Sequence, residues 1–221
     1  ATERGWESTK QVVCGGNGDL ATRLGLEHIP HIETWIDSWD ETRDVPSRII
    51  VDATAQLPHE ETLNWVPRET QRALLMLQAL LEAEQFSGAE LVWLTRGAVA
   101  AVEEDLVVGL VRAPLWGLMR SARTEHIARN LRLIDILDSS AHLGEIRAAI
   151  SMTQESELAV RDGGVFAGRL SAARADVPPG SGTIELTTLG TVLITGGTGG
   201  LGQAISKHLI EHHAIKRLVI T

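Results

Sequence analysis

Residues 191–202 read Thr-Val-Leu-Ile-Thr-Gly-Gly-Thr-Gly-Gly-Leu-Gly, the stretch of this chain best suited to chemistry. The apolar run Val192, Leu193, Ile194 ends at Thr195, and glycines follow at 196, 197, 199, 200 and 202. The pattern predicts a strand that turns sharply into the N-terminus of a helix. Such a helix start leaves backbone N–H groups without intrahelical acceptors and carries the positive end of the helix dipole. Together these bind phosphate, and glycines let a diphosphate approach the backbone closely. The spacing is T-G-x-x-x-G-x-G on Thr195, Gly196, Gly200 and Gly202. The candidate cofactor-binding residues are Thr195, Gly196, Gly197, Thr198, Gly199, Gly200, Leu201 and Gly202. Of these, Thr198, Gly199 and Leu201 are expected in direct contact, and Gly200 and Gly202 to supply close approach.

The flanking sequence supplies the elements such a loop needs. Leu201, Ala204, Ile205, His208 and Leu209 fall at helical spacing and predict one apolar stripe. Arg217, Leu218, Val219 and Ile220 read as a second strand. Residues 191–221 are therefore expected to form a β-α-β unit. Two strands cannot cover their own faces and edges, so a downstream chain or the rest of this chain must support it.

An earlier stretch repeats the pattern in degenerate form. Val13-Cys14-Gly15-Gly16-Asn17-Gly18 parallels Ile194-Thr195-Gly196-Gly197-Thr198-Gly199. Asp19 stands where the second copy has Gly200, and Ala21 where it has Gly202. An acidic side chain at that helix start satisfies the dipole and repels a diphosphate, which makes the first loop a vestigial site.

The glycine segment resembles the start of a short-chain dehydrogenase/reductase. Gly-Gly-Thr-Gly-Gly-Leu-Gly at 196–202 is most similar to the ketoreductase domains of modular type I polyketide synthases. Two other stretches carry the same resemblance: Leu115-Trp116-Gly117-Leu118-Met119-Arg120-Ser121-Ala122-Arg123-Thr124-Glu125-His126 with Leu131–Asp135, and Glu157–Gly163 with Arg169-Leu170. Both are similar to the non-catalytic structural subdomain of those ketoreductases. Ile127 departs from the family, which often has proline after Glu-His.

The resemblance implies hydride transfer from NADPH to the β-keto group of an acyl thioester held on an acyl carrier protein by phosphopantetheine. It implies as partners that carrier protein, other synthase domains and the remainder of the catalytic subdomain. In this family the proton donor is a Tyr hydroxyl, with a Lys four residues later. The chain contains no tyrosine, and the family's catalytic Ser, Tyr, Lys and Asn all follow the glycine loop. No catalytic residue is therefore assigned, and this piece by itself is expected to be inactive. Its expected division is a structural subdomain over 1–170, a linker over 171–190 and the first β-α-β of the catalytic subdomain over 191–221. Two other readings remain open at this point: a catalytically silent scaffold, or another NAD(P)-binding reductase or epimerase with the same loop.

Composition narrows the classes further. A net charge of −9 argues against nucleic acid, which calls for a basic patch. The single cysteine, Cys14, excludes an internal disulfide framework and suits a reducing compartment, so a cytoplasmic location is expected. No apolar run is long enough to span a membrane. The chain begins at Ala1 without Met, as an excised piece of a longer polypeptide would.

The remaining pattern alternates strands and helices, which predicts an α/β, Rossmann-like, mostly parallel sheet flanked by helices, followed by the start of a second Rossmann fold. Strands are expected at 11–14, 48–53, 91–94 and 131–136, and helices at 19–26, 110–125 and 143–150. Pro67 is expected to open another helix, with Leu74, Leu77, Leu80 and Leu81 as its core stripe. Asp162-Gly163-Gly164 reads as a hairpin turn between 158–161 and 165–170. His208-Leu209-Ile210-Glu211-His212 matches a zinc-helix spacing, but His208 lies on the apolar stripe, so no metal site is assigned. Arg112, Arg120 and Arg123 are candidates for touching a phosphopantetheine, with an ion-paired face as the plainer reading.

Overall fold

The structure is a computed structural model and describes Trp6 and residues 10–57, 61–137, 143–162, 164–170 and 190–221. The chain forms two compact units, Ala1–Arg169 and Leu170–Thr221. All but the last residue of the expected linker, and Gly163 of the expected hairpin turn, lie outside the described residues.

The first unit is built on a seven-stranded sheet. Its strands are β1 (Gln11–Gly15), β2 (Glu27–Ile29), β3 (Arg48–Ala53), β4 (Glu90–Arg96), β5 (Leu131–Ile136), β6 (Glu157–Arg161) and β7 (Gly164–Ala167). Their order is β2-β1-β3-β4-β5-β6-β7. All neighbours are parallel except β6 and β7, which form the antiparallel hairpin that the turn residues predict.

Near-continuous apolar runs such as Ile49-Ile50-Val51 and Leu91-Val92-Trp93-Leu94 suit strands covered on both faces. Alternate residues serve opposite faces. Val12, Cys14, Ile49, Val51, Leu91, Trp93 and Leu133 join one buried cluster. It includes α2 (Ile32–Asp37), α3 (Thr62–Glu82) and α4 (Ala113–Glu125), through Trp35, Met76, Leu77, Leu80, Leu115 and Met119. Val13, Ile50, Val92, Leu94, Ile134, Ile136 and Val160 join the other. There α1 (Asp19–Leu24) contributes Leu20 and Leu24, and α5 (Leu143–Ser151) contributes Ile146 and Ile150. The result is a three-layer, Rossmann-like domain.

Two local expectations are corrected for α3. The helix begins at Thr62, so Pro67 lies inside it rather than opening it. Proline removes the bond to the carbonyl of residue i−4, here Leu63, which is 90 % exposed and within reach of water. The buried stripe is Ala73, Met76, Leu77 and Leu80. Leu74 lies on the flank of that stripe and is exposed, while Ala73 and Met76 are buried. Within the expected 110–125 stretch, helix α4 begins at Ala113, with Pro114 in its first turn, after a short 3₁₀ turn at Leu110–Arg112.

Buried charges close both ends of the sheet. At one end Glu90 pairs with Arg48 and with Arg132, whose Nη1 is 3.2 Å away. At the other, Asp135 accepts hydrogen bonds from Thr95 Oγ1 (2.6 Å), the Ala98 N–H (2.8 Å) and Arg161 Nη2 (2.7 Å). Arg161 Nε donates to Asp105 at 2.7 Å, which fixes the 97–109 loop. Every charge in this second group has a partner, the condition under which buried ions are tolerated.

The second unit contains β8 (Val192–Ile194), α6 (Gly200–His213) and β9 (Leu218–Ile220), with β8 and β9 parallel. Strand, helix and strand follow one another here in that order. Among the described residues no helix is long and apolar enough to cross a membrane.

Candidate functional site

The late glycine loop connects β8 to α6 and is tied to the end of β9. Thr221 N donates to Ile194 O (3.1 Å), and Gly197 N donates to Thr221 O (3.2 Å). Gly199 N donates back to Gly196 O at 3.1 Å, and Gln203 N closes the first helical turn on Gly199 O at 2.9 Å. The N–H groups of Gly200, Leu201 and Gly202 therefore have no intrahelical acceptor and project from the helix start.

Each glycine answers to a different constraint. Gly196 has φ +69°, a left-handed conformation that L side chains rarely adopt. A Cβ on Gly197 would collide with Ile220 and stand 3.1 Å from Ile194 O. A Cβ on Gly202 would stand 2.5 Å from Gly196 O and 2.8 Å from Gly197 C. These three glycines are required by the fold. Gly200 is different: a Cβ there meets nothing within 4 Å. Glycine at a helix start offers no propensity advantage, so the chain's own packing gives no reason for it.

The helix face is a correction. Leu201, Ala204, Ile205 and His208 are exposed, and Gly202 and Ser206 are the buried positions, with Leu209 half-buried. At Gly202 the reason is the close approach of α6 to the loop, where a Cβ would collide with Gly196 and Gly197, and Ser206 folds its hydroxyl onto Gly202 O at 2.7 Å. Two strands offer no floor to the larger side chains. Leu193, Val219 and Ile220 are exposed as well. His208 is thus not packed on the sheet; its ring lies 4.7 Å from that of His212 and 5.3 Å from that of His213.

Gln203 was not legible as a site residue. Its side-chain Nε2 donates to the Thr198 carbonyl at 3.0 Å, reaching back across the loop. The only signal in the sequence is an amide side chain directly after the last glycine.

The earlier loop has different geometry. Gly15, Gly16 and Gly18 all have positive φ, and α1 starts from a left-handed Gly18, whereas α6 starts from an extended Gly199. A Cβ on Gly16 would run into the Asp52 carboxylate, and one on Gly18 would stand 2.9 Å from His28 Nδ1. The Asp19 N–H is taken by Asn17 Oδ1 at 3.1 Å. Strands β1 and β3 diverge here in chain order, the place where open α/β sheets take ligands. The adjoining crevice holds Glu69 bonded to Arg112 at 2.9 Å, and Arg112 also donates to Ala55 O. The chain's own side chains fill the first copy.

The three arginines considered for a phosphopantetheine are ion-paired. Arg112 holds Glu69; Arg120 and Arg123 both reach Glu157, at 2.7 and 2.5 Å. The hydrogen bond from Arg120 and then that from Arg123 outweigh burial and hold the Glu157 carboxyl below the usual range.

Comparison with known proteins agrees with this architecture. Residues 6–170 match the family model described as polyketide synthase extender module SpnB, Rossmann fold domain, and residues 190–221 match the KR domain. The polyketide synthase GfsA of Streptomyces halstedii is 32 % identical over 196 residues, covering 89 % of this chain and 2 % of that protein. The spectinabilin polyketide synthase system protein NorA of Streptomyces orinoci is 39 % identical over 149 residues, covering 67 % of this chain and 8 % of its own length. A solved structure of an A1-type ketoreductase superposes with a TM-score of 0.74 at 28 % identity, covering 96 % of this chain and 48 % of that one. The chain thus spans a small fraction of its curated relatives and about half of a solved ketoreductase. It belongs to the ketoreductase family of modular polyketide synthases, with a SpnB-type Rossmann domain over most of its length and the opening of a KR domain at its C-terminal end.

Proposed function

We propose that the loop Thr195–Gly202 holds the diphosphate of NADPH in a β-ketoacyl reductase, which reduces the β-keto group of a carrier-bound acyl thioester to a hydroxyl. The observation that carries this reading is Gly200. The fold does not need a bare position there, and a diphosphate lying across the helix start does. The free N–H groups of Gly200, Leu201 and Gly202 are the donors, Gly196 and Gly197 shape the turn, and Thr198 flanks the anion. The dinucleotide, when bound, supplies the hydride; this chain binds and orients it.

Residues 1–170 act as the structural subdomain, and residues 171–190 link it to the catalytic part that opens at 191. Its own glycine loop takes no dinucleotide, because Asp52, Asp19 and His28 occupy or charge the space. The carbonyl's proton donor lies in sequence beyond Thr221, and 1–221 alone reduces nothing. The carrier protein, the other synthase domains and the rest of the catalytic subdomain are its partners, in the cytoplasm.

The test is NADPH binding to the completed ketoreductase with and without Gly200→Val. Retained folding with lost binding supports the loop as the site. Unchanged affinity overturns it. Turnover of a β-keto thioester by residues 1–221 alone would overturn the assignment of the proton donor.

A further inference from the structure

We infer that Gln203 is a positioning residue for the cofactor's diphosphate, acting through the Thr198–Gly199 peptide; this rests on the reading of the loop given above. That peptide is held at both ends. Its N–H, on Gly199, donates to Gly196 O at 3.1 Å, and its carbonyl, on Thr198, accepts from Gln203 Nε2 at 3.0 Å. Gln203 is itself the first residue of α6 whose N–H closes a helical turn, on Gly199 O at 2.9 Å. One residue therefore holds the loop by main chain and side chain together.

The orientation matters because a carbonyl is the negative end of its peptide dipole. The Thr198 oxygen is held by Gln203 in the first turn of α6, and a Cβ on Gly200 would meet no protein atom within 4 Å. Glycines on either side of the loop give this peptide little steric resistance to rotation. Gly197, Gly199 and Gly200 surround Thr198, so without the side-chain donor the Thr198 oxygen is free to swing toward the anion. A carbonyl there would turn its negative end toward a diphosphate, although Thr198 is exposed and its oxygen can also meet water. Gln203 is exposed and supports no core, so its contribution belongs to the loop's shape and not to the stability of the unit.

The experiment uses the completed ketoreductase. NADPH dissociation constants are measured by nicotinamide fluorescence, with KM and kcat beside them, for the wild type, Gln203→Ala, Gln203→Glu and Gly200→Val. Gln203→Ala is expected to raise the NADPH dissociation constant and KM about three- to tenfold, the worth of one such hydrogen bond, with kcat and melting temperature unchanged. Gln203→Glu binds more weakly than Gln203→Ala at pH 7.5, where its carboxylate only accepts. As pH falls through about 4.3, the ordinary glutamate value, the protonated acid becomes a donor, and its affinity relative to wild type at the same pH passes that of Gln203→Ala. Affinity for Gln203→Ala equal to wild type, or Gln203→Glu recovering only to the alanine level, overturns the inference. If Gly200→Val also binds NADPH normally, the reading of the loop itself fails; if only Gln203→Ala is silent, the loop stands and the role of Gln203 does not.

Discussion

Gly202, at the start of α6, packs so closely on Gly197 in the loop that no methyl group fits between them. Two glycines of one motif thus have a purely structural role, and Gly200, between them in sequence, has none within the chain. Gly202→Ala is expected to destabilise the second unit or push α6 off the loop, since overpacking costs about 1–3 kcal/mol. Gly200→Ala leaves stability unchanged or raises it by up to about 1 kcal/mol through helix propensity, while NADPH affinity falls at least about tenfold through lost backbone approach. Thermal melts and a binding titration on the same two variants separate the roles.

Ala214 ends α6 in a left-handed conformation, with φ 51° and ψ 32°, the one non-glycine residue among those described with positive φ. Glycine is the usual residue at such a helix end. Ala214→Gly is expected to stabilise the unit by about 1 kcal/mol, read as a rise in the denaturation midpoint with the slope unchanged. A fall in the midpoint would mean that the left-handed turn is not populated.

Arg161 binds both Asp105 and Asp135 inside the first unit. Arg161→Leu leaves Asp135 buried without its cation, a loss expected to cost about 3–5 kcal/mol. Urea unfolding of the variant measures it. A change within experimental error would show that the network is not closed in solution.

Asp105 provides the pH dependence. Burial raises its pKa, but the Ala101 N–H and Arg161 more than offset this, and the net shift is downward. A depressed folded-state pKa contributes stability that is full above the unfolded value, near 4 for Asp, and is lost as pH falls through the folded value. Wild type and Asp105→Asn are expected to differ in stability at neutral pH and to converge in acid below about pH 4. Parallel curves from pH 7 down to pH 2 would contradict this.

Cys14 is fully buried in β1, and burial, with Glu27 nearby, pushes its thiol far above the ordinary range. A thiol reagent at pH 8 is expected to modify no cysteine in the native protein and one after denaturation. Rapid native labelling would mean that β1 opens locally.

The sequence by itself determined the class of fold, most of its elements and the glycine loop, but not the edge strand β2 or the short helix α2. Those follow from local rules: apolar runs such as Ile49-Ile50-Val51 demand a sheet covered on both sides, and five closely spaced glycines after a strand demand a tight turn into a helix. Tertiary structure alone decided which side of a helix is buried and which glycine has a structural reason. In α6 the apolar pattern marked Leu201 and Ile205, but among the described residues the sheet has two strands and the helix start touches the loop, and Gly202 and Ser206 are the buried positions. In α3 the buried stripe runs through Ala73 and Met76 and leaves Leu74 on its flank. Periodicity records which residues share a face, and only the neighbouring surface fixes how wide that face is and how near it comes. The hydrogen bond from Gln203 to Thr198 depends on that nearness, and no spacing rule could have announced it.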